Sequence, residues 1–470
     1  MTSLPVVLSY LLIQIFAVLF ALRAVERART PQGSVAWVVF LFAAPLFAVP
    51  AYLFLGQARF RGYTVIRRES ERVREGLRRF AHTYPPNRTE EDGLVRGFEK
   101  LAGMPLCGGN GFELLVDGQE TFDAIFAALD AAERYALVQF YIIHDDELGR
   151  ALQARLIACA ERGVSVRLLF DAVGSKNLPQ DWRDRLTRAG VEVVNIHALR
   201  GPKTRFQLNF RNHRKSVVVD GETGFIGGLN VGDEYMGHDP VLSPWRDTHC
   251  RLTGPVVAQL QLVFAEDWHW ATGEVLDEGM TWRPPADPGG MDALVMATGP
   301  ADRMETGALY YIAAIEAARE RLWIASPYLV VENDVLGALK LAALRGVDVR
   351  ILTPKAVDHR IPWLAALSYF DDLQDTGVQI WRYQDGFMHQ KILLVDDRFA
   401  SVGTTNFDNR SFRLNFEATA MLFDRRAAEA VAEMLEADFA RSLRLKMRLT
   451  DRPPWQRHGA RFARLFAPLL

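Results

Sequence analysis

The chain contains the stretch His213-Arg214-Lys215-Ser216-Val217-Val218-Val219-Asp220, followed by Gly227-Gly228-Leu229-Asn230. The same pattern returns as His389-Gln390-Lys391-Ile392-Leu393-Leu394-Val395-Asp396, followed by Gly403-Thr404-Thr405-Asn406. Both copies read H-x-K-x4-D-x6-G-x-x-N without a shift in spacing. One chance match to five fixed positions in a chain of this length has odds of roughly one in ten thousand. Two matches therefore indicate two copies of one folded unit.

The residue types of the motif suit the chemistry of a phosphodiester. Residues two apart in a strand face the same side, so the His and Lys of each H-x-K are expected to point together, and the apolar run after each Lys predicts a buried strand. If the two units pack face to face, two imidazoles, two ammonium groups and two amides converge. The cations and amides would hold the phosphate oxygens while one His attacks and the other protonates the leaving oxygen. The symmetric motifs leave open which His attacks.

Further segments repeat in the same order around the motif. Residues 345–352 echo residues 162–169, and residues 376–380 echo residues 189–193. Predicted strands alternate with predicted helices in both copies, and Asp117-Gly118 predicts a hairpin turn early in the first copy. We therefore predict an α/β fold of two tandem sandwich halves, 108–275 and 276–445, related by a pseudo-twofold axis with the site at their junction.

The first 57 residues predict a membrane hairpin. Apolar runs at about 4–22 and 35–55 each approach the roughly 20 residues that cross a bilayer as a helix. A cleaved signal peptide is the alternative for the first run, but no basic residue precedes it and a second run follows. Pro45 and Pro50 would kink the second helix, so a re-entrant shape stays open.

Arginines flank both apolar runs. Arg23, Arg27 and Arg29 lie between the runs, and a heavier cluster follows the second run: Arg59, Arg61, Arg67, Arg68, Arg72 and Arg74. Cytoplasmic flanks of membrane helices carry the excess of Lys and Arg. We therefore predict a multi-pass membrane protein with both ends of the hairpin, and the catalytic part, in the cytoplasm. Residues 58–107 are predicted to form a basic juxtamembrane helix and a linker.

The overall charge and the composition of the C-terminal segment limit the possible binding partners. The formal net charge of −2 at pH 7 argues against the overall basic surface of a nucleic-acid-binding protein. Residues 446–470 mix Arg with Leu and Phe. This segment either lies on the membrane as a basic amphipathic helix or packs against the catalytic part.

The paired motif resembles the HKD motifs of the phospholipase D superfamily. The flanking residues Asn212, Gly232 to Tyr235 and Phe407 to Phe412 are similar to the versions found in bacterial cardiolipin synthases, as is the stretch from Arg29 to Gly56. This resemblance implies that His213 is the nucleophile, forming a phosphatidyl-histidine, and that His389 is the general acid and then the base. It implies that the phosphate oxygens are bound by Lys215, Lys391, Asn230 and Asn406.

The resemblance also implies roles for four carboxylates. Glu417 would orient His213 and Asp247 would orient His389, each from the opposite half. A salt bridge with Arg246 is the alternative for Asp247. The motif aspartates, Asp220 and Asp396, are expected to hold backbone rather than substrate. Four histidines outside the repeat are expected to be structural: His144, His197, His249 and His269.

The function implied is that of a cardiolipin synthase, which joins two phosphatidylglycerol molecules and releases glycerol. A hydrolytic phospholipase D, or a transferase that uses another donor such as phosphatidylethanolamine, stays open because water and alcohols attack the same intermediate. Two membrane runs and the near-neutral charge weigh against a nuclease, and the complete motifs weigh against a non-catalytic scaffold. Membrane phospholipids are the expected partners, and no obligate protein partner is inferred. We expect no metal and no cofactor, because two imidazoles and two lysines already supply the stabilising charge.

Overall fold

The computed structural model describes residues 4–27, 30–56, 71–87, 93–196 and 210–470. Several residues named above fall outside these ranges, namely Arg29, Arg59, Arg61, Arg67, Arg68 and His197.

Eighteen strands are present in the described part of the chain. Those of the first half are β1 (Cys107–Val116), β2 (Tyr135–Phe140), β3 (Ser165–Asp171), β4 (Glu192–Ile196), β5 (Arg211–Asn212), β6 (Ser216–Val219), β7 (Thr223–Gly227), β8 (Trp245–Arg246) and β9 (Thr248–Thr253). Those of the second half are β10 (Met291–Thr298), β11 (Arg321–Ala325), β12 (Asp348–Pro354), β13 (Gln379–Tyr383), β14 (Phe387–Met388), β15 (Ile392–Val395), β16 (Phe399–Gly403), β17 (Asn415–Leu422) and β18 (Ser442–Arg444).

Sixteen of these strands form one sheet: fifteen follow one another in order, and β5 pairs with β17 beside that order. From its centre, the first half runs β1-β9-β7-β6-β2-β3-β4 and the second half runs β10-β17-β16-β15-β11-β12-β13-β18. The order is the same in both directions apart from the added β18. The antiparallel pair of β1 and β10, with Asn110 opposite Met291, joins the two halves. The fold is therefore α/β with two repeated halves related by a pseudo-twofold axis, as the sequence predicted.

Helices cover both faces of this sheet. The helices of the described residues are α1 (Leu4–Arg27), α2 (Pro31–Ala43), α3 (Pro45–Leu55), α4 (Glu71–Ala81), α5 (Gly93–Ala102), α6 (Asp117–Asp130), α7 (Glu147–Glu161), α8 (Gln180–Arg188), α9 (Val256–Thr272), α10 (Thr306–Ala317), α11 (Asn333–Leu344), α12 (Arg360–Gln374), α13 (Asn409–Arg413), α14 (Arg425–Ala440) and α15 (Pro454–Ala463). One face carries α9 and α14 over a core that both halves share. The opposite face carries α6 to α8 over the first half and α10 to α12 over the second.

The predicted hairpin at Asp117-Gly118 is wrong, because α6 begins at these residues. Asp117 has a left-handed φ of 64°. Its Oδ1 accepts hydrogen bonds from Nη1 of Arg246 and from the backbone N–H of Asp247, both at 3.0 Å. A Cβ on Gly118 would lie 2.2 Å from the carbonyl oxygen of Tyr235. Contacts more than a hundred residues away in sequence thus start a helix where the local residues favour a turn.

The second apolar run does not form one long helix. Val7–Glu26, within α1, is the single segment of the described residues that is long and apolar enough to cross a bilayer, and α2 and α3 are shorter. They meet at Ala44, whose φ of −143° and ψ of 62° are not helical. Proline disfavours the helical region for the residue before it, and Pro45 follows Ala44.

Ring contacts show that α3 turns back alongside α2. Tyr52 of α3 lies with its ring centroid 5.0 Å from that of Trp37 of α2 and 5.0 Å from that of Phe20 of α1. In one straight helix, Trp37 and Tyr52 would be about 22 Å apart along the axis. The three helices therefore pack around one small core, with the start of α2 and the end of α3 at the same end.

The C-terminal segment packs against the catalytic part and still presents an apolar surface. Ala460 and Ala463 of α15 are buried in the second-half core, which also contains α12. Trp455, Phe462 and Leu465 remain 61 to 72% exposed. The packing alternative is thus present, and contact of the exposed apolar residues with the membrane stays a prediction.

Candidate active site

Two short parallel pairings place each motif histidine beside the opposite half. Strand β5 pairs with β17, with Asn212 opposite Phe416, and β14 pairs with β8, with Met388 opposite Arg246. The next residues along these registers are His213 with Glu417 and His389 with Asp247. The backbone N–H of His213 donates to the carbonyl of Phe416 at 2.9 Å, and that of His389 donates to the carbonyl of Arg246 at 2.8 Å.

A carboxylate contacts Nδ1 of each imidazole. Both carboxylate oxygens of Glu417 lie 2.9 Å from Nδ1 of His213. Oδ2 of Asp247 lies 2.8 Å from Nδ1 of His389. A neutral imidazole that donates from Nδ1 has its lone pair on Nε2. The two carboxylates thus favour Nε2 as the nitrogen that each ring presents to a substrate.

Arg246 does not bind the carboxylate of Asp247. Its guanidinium donates to both carboxylate oxygens of Asp438, at 2.8 and 2.9 Å, and to Asp117 at 3.0 Å. Its contact with Asp247 is to the backbone carbonyl. Asp247 is therefore available to His389, in contrast to the salt-bridge alternative.

The two motif lysines are buried beneath the histidines. Nζ of Lys215 donates to the carbonyl of His213 at 2.6 Å. Nζ of Lys391 lies 2.8 Å from Nδ1 of His389 and also contacts the carbonyl of His389. The H-x-K residues precede β6 and β15 rather than lying within them, so the strand geometry predicted for them is wrong. Strands β5 and β14, just before these residues, pair with strands of the other half, and each Lys still lies beside its His.

Burial sets the protonation of the imidazoles. Burial, together with the ammonium groups of Lys215 and Lys391, lowers the pKa of both His213 and His389 to about 4, against the opposing effect of the carboxylates. Both rings are uncharged at neutral pH, which leaves a lone pair for attack.

Burial also lowers the pKa of the lysines. The pKa of Lys391 falls to about 8, and that of Lys215 falls well below its usual value. Burial alone would raise the pKa of Glu417 and of Asp247, but nearby positive charge outweighs it and holds both pKa values low. An anion placed between the lysines would relieve their mutual repulsion.

The motif aspartates bind backbone far from the histidines. Oδ1 of Asp220 accepts the backbone N–H groups of Arg134 and Tyr135 at 2.8 and 2.9 Å. Oδ1 of Asp396 accepts those of Glu320 and Arg321 at 2.9 and 3.0 Å. Both aspartates have a φ of 53° and join the motif strand to the equivalent strand, β2 or β11. They fix the loop that ends the motif in each half.

The motif glycines are required by close packing rather than by a tight turn. A Cβ on Gly227 would lie 2.5 Å from Cα of His249, and one on Gly403 would lie 2.6 Å from the carbonyl oxygen of Ala418. A Cβ on Gly228 would lie 2.0 Å from Oδ1 of Asp247. Only glycine lets Asp247, just before β9, and Glu417 of β17 come this close to the motif strands.

One cavity of about 900 Å³ is lined by both histidines and both motif asparagines. Oδ1 of Asn230 accepts the backbone N–H of Ile142 at 3.1 Å, and its Nδ2 donates to the hydroxyl of Tyr235 at 3.0 Å. Oδ1 of Asn406 is buried and has no hydrogen-bond partner among the described residues. The structure thus brings together in one place the histidines, lysines, asparagines and orienting carboxylates that the sequence singled out.

Several cavity residues were not anticipated from the sequence. The ring of Tyr141 lies 5.0 Å from that of His213, and the ring of Trp245 lies 5.2 Å from that of His389. Two guanidinium groups, of Arg211 and Arg410, also line the cavity. The position of Arg211, two residues before His213 and hence on the same side of an extended segment, was the signal that could have found it.

The remaining histidines differ in their surroundings. His249 is buried, and its Nδ1 accepts the backbone N–H of Leu229 at 3.4 Å. His269 is buried at the end of α9. His144, expected to be structural, lines the cavity, with its Nε2 3.3 Å from Glu234.

Two family models and several known proteins are similar to this chain in sequence. A family model described as cardiolipin synthase, PLD-like domain, matches residues 125–268 and 311–441, and one described as phospholipase D-nuclease N-terminal matches residues 12–57. Cardiolipin synthase A of Pseudomonas putida (strain W619) is 44% identical over 468 residues, which cover 98% of this chain and 97% of the relative. Cardiolipin synthase A of Pseudomonas entomophila (strain L48) is 44% identical over 467 residues, with the same coverage of both chains.

A solved structure shows the same fold. The crystal structure of phosphatidylserine synthase from Haemophilus influenzae superposes with a TM-score of 0.61 at 17% sequence identity, covering 80% of this chain and 100% of that chain. At this identity the likeness concerns the fold alone. The family match and the relatives at 44% identity establish the family as well as the fold. This chain belongs to the cardiolipin synthase family of the phospholipase D superfamily.

Proposed function

We propose that this protein is a phosphatidyltransferase that joins two phosphatidylglycerol molecules into cardiolipin and releases glycerol. One observation carries the proposal. Two imidazoles, each bound through Nδ1 to a carboxylate of the other half, line one cavity above two buried lysines. That arrangement suits a nucleophile and a proton donor on either side of a phosphodiester.

The first half-reaction forms a covalent intermediate. Nε2 of His213 attacks phosphorus of the donor lipid, an N–P bond forms, and the bond from phosphorus to the glycerol oxygen breaks. His389 gives its proton to that oxygen, so neutral glycerol leaves. The nonbridging oxygens are bound by Lys215, Lys391, Asn230 and Asn406. Because the bound phosphate anion offsets the charge of the lysines, binding raises the low pKa of His389 and lets it carry the proton.

The second half-reaction runs in the opposite direction. The terminal hydroxyl of a second phosphatidylglycerol gives its proton to His389, its oxygen bonds to phosphorus, and the N–P bond breaks. Cardiolipin is released and His213 is regenerated. The order of the two histidines follows the resemblance, since the geometry of the two rings is nearly symmetric.

Phospholipids are the substrates of this family, and α1 is an apolar N-terminal helix. We place the protein in the cytoplasmic membrane with its catalytic part facing the cytoplasm. The arginines that follow the second apolar run support this orientation. The catalytic cavity then lies at the level of lipid headgroups.

Reconstitution tests the reaction. The purified protein is placed in phosphatidylglycerol vesicles with a metal chelator, and products are identified by mass spectrometry. Cardiolipin and glycerol in equal amounts are expected. Phosphatidic acid alone would indicate a hydrolase, and cardiolipin formed only after phosphatidylethanolamine is added would indicate another donor. The matched variants are His213→Ala and His389→Ala, both expected to be inactive, and His82→Ala at an exposed remote site, expected to be active. Near-normal turnover by either active-site variant would refute the proposal.

A further inference from the structure

Two arginines outside the repeated motif belong to the wall of the catalytic cavity. Arg211 lies on β5, two residues before His213, and Arg410 lies in the first turn of α13. Both line the cavity that contains His213. Nη1 of Arg211 donates to the carbonyl of Phe210 at 2.7 Å, and Nη1 of Arg410 donates to the carbonyl of Leu469 at 3.3 Å. These contacts hold both guanidinium groups at the cavity wall.

The charges of both guanidinium groups act on one phenol, that of Tyr141. Tyr141 meets His213 edge-on, with the ring centroids 5.0 Å apart. Burial raises the pKa of Tyr141, and the positive charges of both arginines act against that shift. Burial lowers the pKa of Arg410 and the charge of Arg211 lowers it further, while the carboxylates of Asp408 and Glu417 act against this shift. Two like charges held together at a half-buried site favour the binding of an anion.

Transfer to a lipid requires a second anion site, whereas transfer to water or glycerol does not. The acceptor phosphatidylglycerol carries its own phosphate, five bonds from the attacking hydroxyl oxygen and about 6 Å from it when extended. Residues two apart in an extended segment are separated by about 7 Å. Arg211 and His213 line the same cavity, so an anion at Arg211 and a phosphorus atom at His213 share one space, and their backbone spacing is comparable to the length of this linker.

We propose that Arg211 and Arg410 form an anion subsite that binds the phosphodiester of the acceptor lipid. The proposal rests on the proposed function, because it concerns the second half-reaction of that transfer. The subsite holds the acceptor so that its terminal hydroxyl faces the phosphatidyl group on His213. Guanidinium groups suit this role because they bind phosphate through paired hydrogen bonds. The subsite would make lipid, rather than water, the preferred acceptor.

The test compares two acceptors in the full-length, reconstituted protein. Cardiolipin formation from phosphatidylglycerol requires an acceptor with a phosphate. Exchange of isotopically labelled glycerol into phosphatidylglycerol uses an acceptor without one and reports on the donor site, His213 and His389. The variants are Arg211→Gln and Arg410→Gln, with Arg211→Lys as the charge-conserving control. Arg410 also contacts Leu469, so its replacement can disturb folding of the C-terminal segment. If Arg410→Gln is poorly folded, the Arg211 variants alone decide the test.

The expected result is a split between the two activities. Cardiolipin formation by Arg211→Gln falls roughly 10- to 100-fold, the loss expected for one charge-assisted contact. Glycerol exchange stays close to wild type, and Arg211→Lys recovers part of the cardiolipin activity. A parallel loss of both activities, or no loss of either, would overturn the subsite while leaving the proposed function standing. If wild-type protein exchanges glycerol but makes no cardiolipin, the proposed function fails and the subsite fails with it.

A further experiment distinguishes binding of the lipid phosphodiester from binding of free phosphate. Inorganic phosphate is added to the wild-type reaction at millimolar concentration and matched ionic strength. No inhibition beyond that of a chloride control supports a subsite for the lipid phosphodiester. Strong inhibition of cardiolipin formation, absent in Arg211→Gln, would show that the pair takes free phosphate and would overturn the assignment to the acceptor lipid.

Discussion

Replacing Glu417 by Gln isolates the electrostatic role of the carboxylate behind His213. The carboxylate lies 2.9 Å from Nδ1 of His213, accepts the hydroxyl of Thr404 at 2.6 Å and accepts Nδ2 of Asn415 at 3.1 Å. A glutamine that places Oε1 toward Asn415 can keep the hydrogen bond to the ring, with its amide group toward the Thr404 hydroxyl. The variant therefore removes mainly the negative charge.

The expected magnitude follows from that charge. His213 becomes positively charged as the N–P bond forms, with the charge centres of ring and carboxylate about 4 Å apart. At an effective dielectric constant of about 20, their attraction is about 4 kcal/mol, which corresponds to about three powers of ten in rate. We expect kcat of Glu417→Gln to fall about 10³-fold, with little change in KM.

The assay is initial-rate cardiolipin formation in phosphatidylglycerol vesicles, with thermal unfolding measured in parallel. The matched control is Glu113→Gln, which removes an exposed carboxylate paired with Arg251 at 3.4 Å and is expected to keep wild-type activity. A folded Glu417→Gln protein whose kcat lies within about threefold of wild type would show that the charge contributes less than 1 kcal/mol, and the electrostatic role would be refuted.

Three further predictions concern the site and the membrane helices. Since the pKa of Lys391 is lowered to about 8, its charge is lost as pH rises through that value; kcat/KM should fall above about pH 8, and Lys391→Arg should move that fall to higher pH in a pH–rate profile. A methyl group at Gly228 would overlap Oδ1 of Asp247, so Gly228→Ala should lower kcat by at least about 100-fold, whereas an unchanged rate would show that His389 does not depend on that carboxylate. Because α3 turns back alongside α2, a cysteine at Leu4 should react with an impermeant maleimide added outside spheroplasts while one at Thr83 should not, the native cysteines being buried; labelling of neither would favour two complete crossings.

The repeated halves could be predicted because the same spacing of motif residues occurs twice in the sequence. The interval from His213 to Asn230 equals that from His389 to Asn406, and equal spacing in two α/β segments leaves few arrangements other than two similar units. The sheet order on either side of β1 and β10 confirms that reading. The orienting carboxylates required the family resemblance, because no local pattern relates Glu417 to a histidine 204 residues earlier.

The features that sequence could not supply depend on tertiary contacts. Asp117-Gly118 starts a helix because Arg246 and Asp247 bind Asp117 from elsewhere in the fold. The return of α3 depends on the packing of Tyr52 against two other helices, although Pro45 marked the place of the bend. Arg410 becomes a neighbour of Arg211 only because β5 pairs with β17 of the other half.

Each half supplies the carboxylate that orients the histidine of the other half, so the active site is complete only after both halves have been synthesised. Glu417 is added to the chain 204 residues after His213, a delay of about 10–40 s at typical rates of translation. In that interval the first half lacks the carboxylate that orients its imidazole. A ribosome-released fragment ending before Met291, which also lacks His389, should therefore leave phosphatidylglycerol intact in vesicles.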